Sequence, residues 1–404
     1  MPWNSDMKTV RKILFLPLLC LTVLFACREI ELVVPTEYEL LPGVPIDPDA
    51  RPAGMYLLNE ANMGSNKSSI DYVDFRNAYY VRNIYAERNP EVVKELGDVG
   101  NDIQIYGNKL YAVINCSHKV EVMDVRTCKR IGQVDIPNCR YIRFAKGKAY
   151  VSAYVGPVAI DPNAQLGAVY EVDTASLAVT RKVTVGYQPD ELEVLGEYLY
   201  VANSGGYRAP DYDSTVSVVE IYGMKQIQKI PVGINLHRIR KDRYGKLWVT
   251  SRGDYNTIPS RLYVLDRKDK NSKEMVVKDT LDIPCSEMYI QGDSLYFYSV
   301  EWNKQTERNT VTYGIIDVRT PTRHRPFHHG RDGTGHRHPI RHLRAPHDGG
   351  HLRDGCQELR IERSTSLLRP PREEEMERTY GGHPRTHGIL RPAIKTELEH
   401  ETHI

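Results

Sequence analysis

From residue 54 to residue 320 the chain alternates apolar and polar positions in short runs, each closed by glycine or by a turn-forming polar cluster. Alternation with a period of two is the mark of a β-strand with one face packed and one less buried. The run "KLYAVIN" at 109–115 recurs as "KAYVSAY" (148–154), "YLYVANS" (198–204), "KLWVTSR" (246–252) and "SLYFYSV" (294–300), and "MYLLNEA" (55–61) is the first copy. A second type of run ends in an acid: Asp74, Asp124, Asp173, Glu220, Asp266 and Asp317, spaced by 50, 49, 47, 46 and 51 residues. A third run follows each acid, as in "KRIGQVDIP" and "QIQKIPVGIN". A fourth, "NDIQIYG", "RYIRFAKG", "DELEVLG", "HRIRKDRYG" or "SEMYIQG", opens the next unit.

Four short strands per unit of 40–50 residues predict an all-β fold of propeller blades. A single blade leaves apolar faces uncovered, so the copies must stack around a ring. The strand-ending acids fit tight turns, where a carboxylate accepts backbone N–H bonds, rather than catalysis. "YLYVANSGG…STVSVVEI…KIPVG" resembles the YVTN-type β-propeller repeat of bacterial surface and periplasmic proteins (YncE-like proteins), and the likeness covers 54–320. With the leader described next, it also looks like the surface lipoproteins of Bacteroides-type bacteria, some of which capture corrinoids for an outer-membrane transporter. Six copies are recognisable, and the reading is a ring of seven blades by design with its last blade disrupted.

From Met7 the sequence reads "MKTVRKILFLPLLCLTVLFAC", with Lys8, Arg11 and Lys12 ahead of an apolar run from Ile13 to Ala26. That run is short for a membrane span and right for a signal peptide. "LFAC" resembles a lipobox, which makes Cys27 the lipid-bearing first residue of the mature chain; Cys20, preceded by Leu19, is the weaker alternative, and a plain signal peptide the simpler one. The expected organisation is a signal peptide and lipobox (1–27), a tether with five prolines (28–53), blades one to six (54–320), and an out-of-frame segment (321–404). Localisation is then the outer membrane, on its surface or its periplasmic side, held by the lipid.

Composition changes at Pro321. Beyond it there is no valine, Tyr380 is the one tyrosine, arginine outnumbers lysine 14 to 1, and 12 of the chain's 14 histidines occur. "FHHGRDGTGHRHPIRH" (327–342) has the residue types of a metal site. Codon arithmetic gives a different account. Glu373-Glu374-Glu375-Met376-Glu377 is encoded GAR GAR GAR ATG GAR, and one nucleotide later this forces three basic residues and a tryptophan. Compatible codons extend the shifted text to "IPYGICVHPTTGDIYVTDAKN" and "LYFDRRGKKKWNV", which has the order of a blade. Its acid falls at the codon of Arg369, 52 positions after Asp317. The segment is therefore read as a seventh blade out of frame, with no metal site.

A net charge of +2 with 26% charged residues gives no pull toward nucleic acid. Cys116, Cys128, Cys139, Cys285 and Cys356 form no CxxC pair and read as strand residues. The long insertions, 59–69, 154–167, 204–214, 251–260 and 300–309, mostly follow the "LYV" strands, whereas the opposite turns are minimal. Length asymmetry marks a binding face. There Tyr207, Tyr212, Tyr255 and Trp302 supply flat surfaces, and Arg208, Asp211, Arg252 and Asp254 polar anchors, for a small molecule or a partner protein. Asn101, Asp102, Arg140, Tyr187, Asp190, His237 and Arg238 open the inner strands near the channel mouth. No nucleophile elbow or phosphate loop is present, so no catalytic residue and no cofactor is expected. A Ca2+-dependent propeller enzyme, a lactonase-like hydrolase or a dehydrogenase, is the alternative.

Overall fold

The computed structural model describes residues 37–92, 95–303, 308–321, 324–327 and 391–393. Cys27, the signal peptide, Cys356 and nearly all of 321–404 lie outside the described residues. Six antiparallel sheets follow one another along the chain as the blades of a propeller. Blade two runs Gly100–Tyr106, Lys109–Ile114, Lys119–Asp124 and Arg130–Asp135, innermost strand first. Blades three to six repeat the order from Cys139–Ala145, Pro189–Leu195, Leu236–Lys241 and Glu287–Gln291. These inner strands pack one against the next in sequence order. The turn that leaves each of them carries a glycine at positive φ (Gly107, Gly147, Gly196, Gly245, Gly292), a conformation open to glycine at little steric cost.

The strand-ending acids close turns, as their spacing implied. Asp124 accepts the N–H groups of Arg126 and Thr127 at 3.0 Å each, and Asp74, Asp173 and Glu220 repeat the pattern. Asp266 is the exception and bonds the N–H of Arg267, because its strand runs one residue further, Arg261–Arg267.

Blade one departs from the expected plan. Its order is Tyr38–Leu40, Tyr79–Val81, Ser69–Asp74, Gly54–Asn59 and, on the inner edge, Arg391–Ala393. Tyr38–Leu40 thus belongs to a sheet although it lies inside the stretch read as a tether; three exposed residues are too short a run to announce a strand. The insertion at 300–309 is also no open loop. Ser294–Asn303 and Arg308–Asp317 continue as one long hairpin, held by ladder pairs out to Asn303 and Arg308. Trp302 lies on that hairpin with its side chain outside the described residues. One short helix, Ile84–Arg88, occurs among the described residues.

Five apolar clusters join these sheets. Leu58, Ile70, Ile103 and Leu110 unite blades one and two. Val113 and Val122 meet Ile142 and Val151 between two and three. Val169 and Val185 meet Leu192 and Val201 between three and four. Val216 meets Ile239 and Val249 between four and five, and Trp248 and Val264 meet Leu295, Phe297 and Ile316 between five and six. Full burial of each such side chain is worth about 1.5–3 kcal/mol. Among the described residues no cluster joins blade six to blade one.

Cys128, Cys139 and Cys285 are buried free thiols, and Cys116 is half-buried. Burial pushes the thiols of Cys128 and Cys139 up to about 12.

Candidate functional site

The inner strands open with aligned pairs: Asn101-Asp102, Arg140-Tyr141, Asp190-Glu191, His237-Arg238 and Ser286-Glu287. First-position residues meet across neighbouring blades, Asn101 Nδ2 donating to the Arg140 carbonyl, Arg140 pairing with Asp190 and Asp190 meeting His237, as do Glu191, Arg238 and Glu287 at the second position. The first position builds the mouth around Asp190, which is fully buried. Its Oδ1 accepts from Arg140 Nε and Tyr154 Oη, each at 3.1 Å, and its Oδ2 from Arg252 Nη1 at 2.9 Å. Arg252 Nη2 also lies 2.6 Å from His237 Nδ1, and that nitrogen is 3.0 Å from Asp190 Oδ2.

A guanidinium can only donate, so Nδ1 of His237 carries the lone pair and the ring proton sits on Nε2. Arg252 bridges the two acceptors that would otherwise repel. Burial, then the charges of Arg252 and Arg238, hold His237 well below its ordinary value despite Asp190, which keeps it neutral. Burial alone would raise Asp190, but the charges of Arg140 and Arg252 outweigh it and hold the carboxyl far below its usual range. The mouth therefore carries two guanidiniums against one carboxylate.

The next level is an ion-pair chain across five blades. Asp102 of blade two meets Arg143 of blade three at 3.1 Å, and Arg143 meets Glu191 of blade four at 2.6 Å. Glu191 takes Arg240 at 2.7 Å and the Ile239 N–H at 3.0 Å, with Arg238 of blade five at 3.6 Å. Arg238 pairs onward with Glu287 of blade six and lies 4.8 Å over the Tyr141 ring. Burial pushes Glu191 up to about 7 against the pull of Arg143 and Arg238.

The residues expected on the loop face divide accordingly. Arg252 and His237 reach the mouth, whereas Arg238 is 2% exposed and pairs with Glu287 and Glu191. Tyr207 stands edge-on to Tyr154, with ring centroids 6.2 Å apart, at the same mouth. Arg208 lies flat over Tyr187 at 3.8 Å and donates to Asp211 O and Pro162 O, so it braces its loop. Asp211 is exposed. Asp254 caps its own turn, accepting the N–H groups of Asn256, Thr257 and Ile258. Burial, then nearby Tyr255 and Asp254, raise the Tyr212 phenol, and Tyr255 is 64% exposed.

A further cleft of about 500 Å³ opens between the loops of the first three blades, lined by Met63, Asp98, Cys116, His118, Asn138 and Pro157. His118 Nδ1 accepts the Asn138 N–H there at 3.0 Å. Sequence reasoning missed this cleft, and also Tyr154, Arg143 and Glu191. The signal for the last two was the charge at positions of "RYIRF" and "DELEV" that face the channel. Among the described residues no group of three or more His, Cys, Asp or Glu is arranged to hold a metal ion.

A family model described as "Domain of unknown function (DUF5074)" matches residues 53–303, 251 of the 404. The chain belongs to the DUF5074 family. No curated protein matches it in sequence. Among solved structures, this DUF5074 propeller is similar to hydrazine synthase of Kuenenia stuttgartiensis, at 15% identity and a TM-score of 0.46, over 68% of this chain and 75% of that one. A protein of unknown function from Bacteroides caccae is similar at 12% identity and a TM-score of 0.42, over 66% and 90%. Likenesses at this level carry no argument about what the DUF5074 chain does.

Proposed function

We propose that this chain is a non-enzymatic binding module, tethered to the outer membrane by lipid on Cys27, whose loop-rich face takes a small ring-bearing molecule with an anionic group. The observation that supports this is the mouth, where Arg140 and Arg252 share the single carboxylate of Asp190 beside Tyr154 and Tyr207. A net positive, partly desolvated site favours an anion more strongly than the same charges would in water. Aromatic walls add apolar contact for a ring system. The ligand proposed is a nutrient of corrinoid-like class captured for an outer-membrane transporter, or else a partner protein presenting a carboxylate. The YVTN-type repeat is taken as a ring of seven blades by design.

Titration calorimetry with corrinoids, sugar acids and their neutral counterparts tests the binding. An anionic ligand binds and Arg252→Gln weakens it at least tenfold. Equal binding of charged and neutral analogues, or an unchanged Kd in Arg252→Gln, refutes the mouth as the site.

A further inference from the structure

Blade six is unlike the four blades before it. In blades two to five the second strand is buried on both faces, all five residues of Leu247–Ser251 and all but the first of Lys109–Ile114, Lys148–Ala153 and Tyr198–Asn203. In blade six burial alternates. Leu295 and Phe297, with Ile316 of the next strand, pack on blade five. The opposite face carries the directly paired residues Tyr296 and Ile315, Tyr298 and Tyr313, and Val300 and Val311, with Tyr289 beside Tyr296. Tyr289 is 38% exposed, and Tyr313 and Val311 are each 45% exposed. Such cross-strand aromatic and β-branched pairs stabilise a sheet face meant to be covered. A contiguous apolar face of this kind on a protein surface marks an interface.

We infer that this face is the seat of a seventh blade, encoded by the DNA of residues 328–390 read one nucleotide later. This rests on the seven-blade reading above and adds the surface that receives the blade. Three observations select this occupant. The chain leaves blade six at Phe327, on that blade's fourth strand, and is next described at Arg391–Ala393, paired to blade one. The 63 residues between (328 to 390 inclusive) exceed the 46–51 that separate successive acids, so one blade fits. Five apolar clusters for six sheets leave the interval between blade six and blade one without a described core. A blade set there covers the tyrosine face on one side and meets blade one on the other. The shifted text also supplies the strand order a blade needs.

The test compares the full chain as given with a full chain whose frame is shifted by one nucleotide after codon 320. Nitration by tetranitromethane, read by mass spectrometry, reports Tyr289 and Tyr313, the two exposed tyrosines of the face. These tyrosines react in the chain as given and are protected at least tenfold in the shifted chain. Tyr313→Lys serves as the second probe: it leaves the melting temperature of the given chain nearly unchanged and lowers that of the shifted chain. If the shifted chain gains a cooperative, higher melting transition while the tyrosines stay equally reactive, the seat is wrong and the seven-blade reading stands. An early stop codon in the shifted frame overturns both. Protection of the tyrosines in the given chain by a concentration-dependent dimer assigns the face to a second copy and also overturns the inference.

Discussion

Replacing Asp190 by Asn keeps the shape of the side chain at the channel mouth and removes its charge. Asp190 is fully buried and holds Arg140 at 3.1 Å and Arg252 at 2.9 Å. Without it, two guanidiniums that are 13% and 27% exposed lose the carboxylate they share, and the adjacent His237 is already neutral. Removing one partner of a buried ion pair costs about 3–5 kcal/mol, chiefly through the charge left behind. At about 2–4 °C per kcal/mol for a domain of this size, the melting temperature falls on the order of 10 °C. Thermal unfolding followed by circular dichroism measures it, and Asp190→Asn combined with Arg252→Gln loses less than the two single losses added together. The same substitution leaves the mouth more positive, so an anionic ligand binds about tenfold more tightly, a gain of about 1.4 kcal/mol. A stability loss below about 1 kcal/mol refutes the reasoning, because the guanidiniums would then be well hydrated in an open channel and Asp190 would not hold the blades together.

Asp124→Ala removes three bonds that close a turn and costs about 1 kcal/mol in chemical denaturation. The Thr127 hydroxyl and the N–H groups of the turn lower the Asp124 carboxyl, so its contribution is complete above its unfolded value and fades as pH falls through the folded one. The gap between wild type and Asp124→Ala therefore narrows below about pH 4. Glu191 has the opposite sign: with its folded value at about 7, its contribution is most favourable at acid pH and erodes as pH rises from about 4.5 toward 7, by about 3 kcal/mol in all. Stability–pH curves for wild type and Glu191→Gln that run parallel between those values refute this. Trp248→Phe leaves Asp242 Oδ2 without its indole partner at 3.0 Å, costs about 1–3 kcal/mol in urea unfolding, and removes a buried fluorophore. Gly253→Ala places a Cβ 1.9 Å from the Ile258 carbonyl oxygen at a φ of 67°, so the Asp254 loop rebuilds, visible as faster amide exchange at residues 254–258.

The blades were legible because their information is local. An alternating run, a glycine turn and a strand-ending acid specify themselves within ten residues, and "KLYAVIN" or "VEVMDV" needs no partner to be read. The mouth was half legible. Arg140, Asp190 and His237 could be placed at strand starts, but the meeting of Asp190 with Arg252, 62 residues apart, depends on how blades fan around the axis. Tyr38–Leu40 escaped notice because this exposed edge strand is only three residues long and takes its register from Tyr79–Val81. What Asp254 bonds was not legible either: its carboxylate accepts three N–H groups of its own loop, a local closure that the spacing of the residues does not announce.

The chain of charges from Asp102 through Arg143, Glu191 and Arg238 to Glu287 alternates in sign from one blade to the next. Apolar blade faces are nearly interchangeable, but this alternation gives the array a parity. Duplicating or deleting one blade inside the row sets two like charges side by side in the channel, whereas duplicating an adjacent pair keeps the order intact. Repeat number in such an array can then drift in steps of two, or in steps of one only at the ends, beyond Asp102 or Glu287.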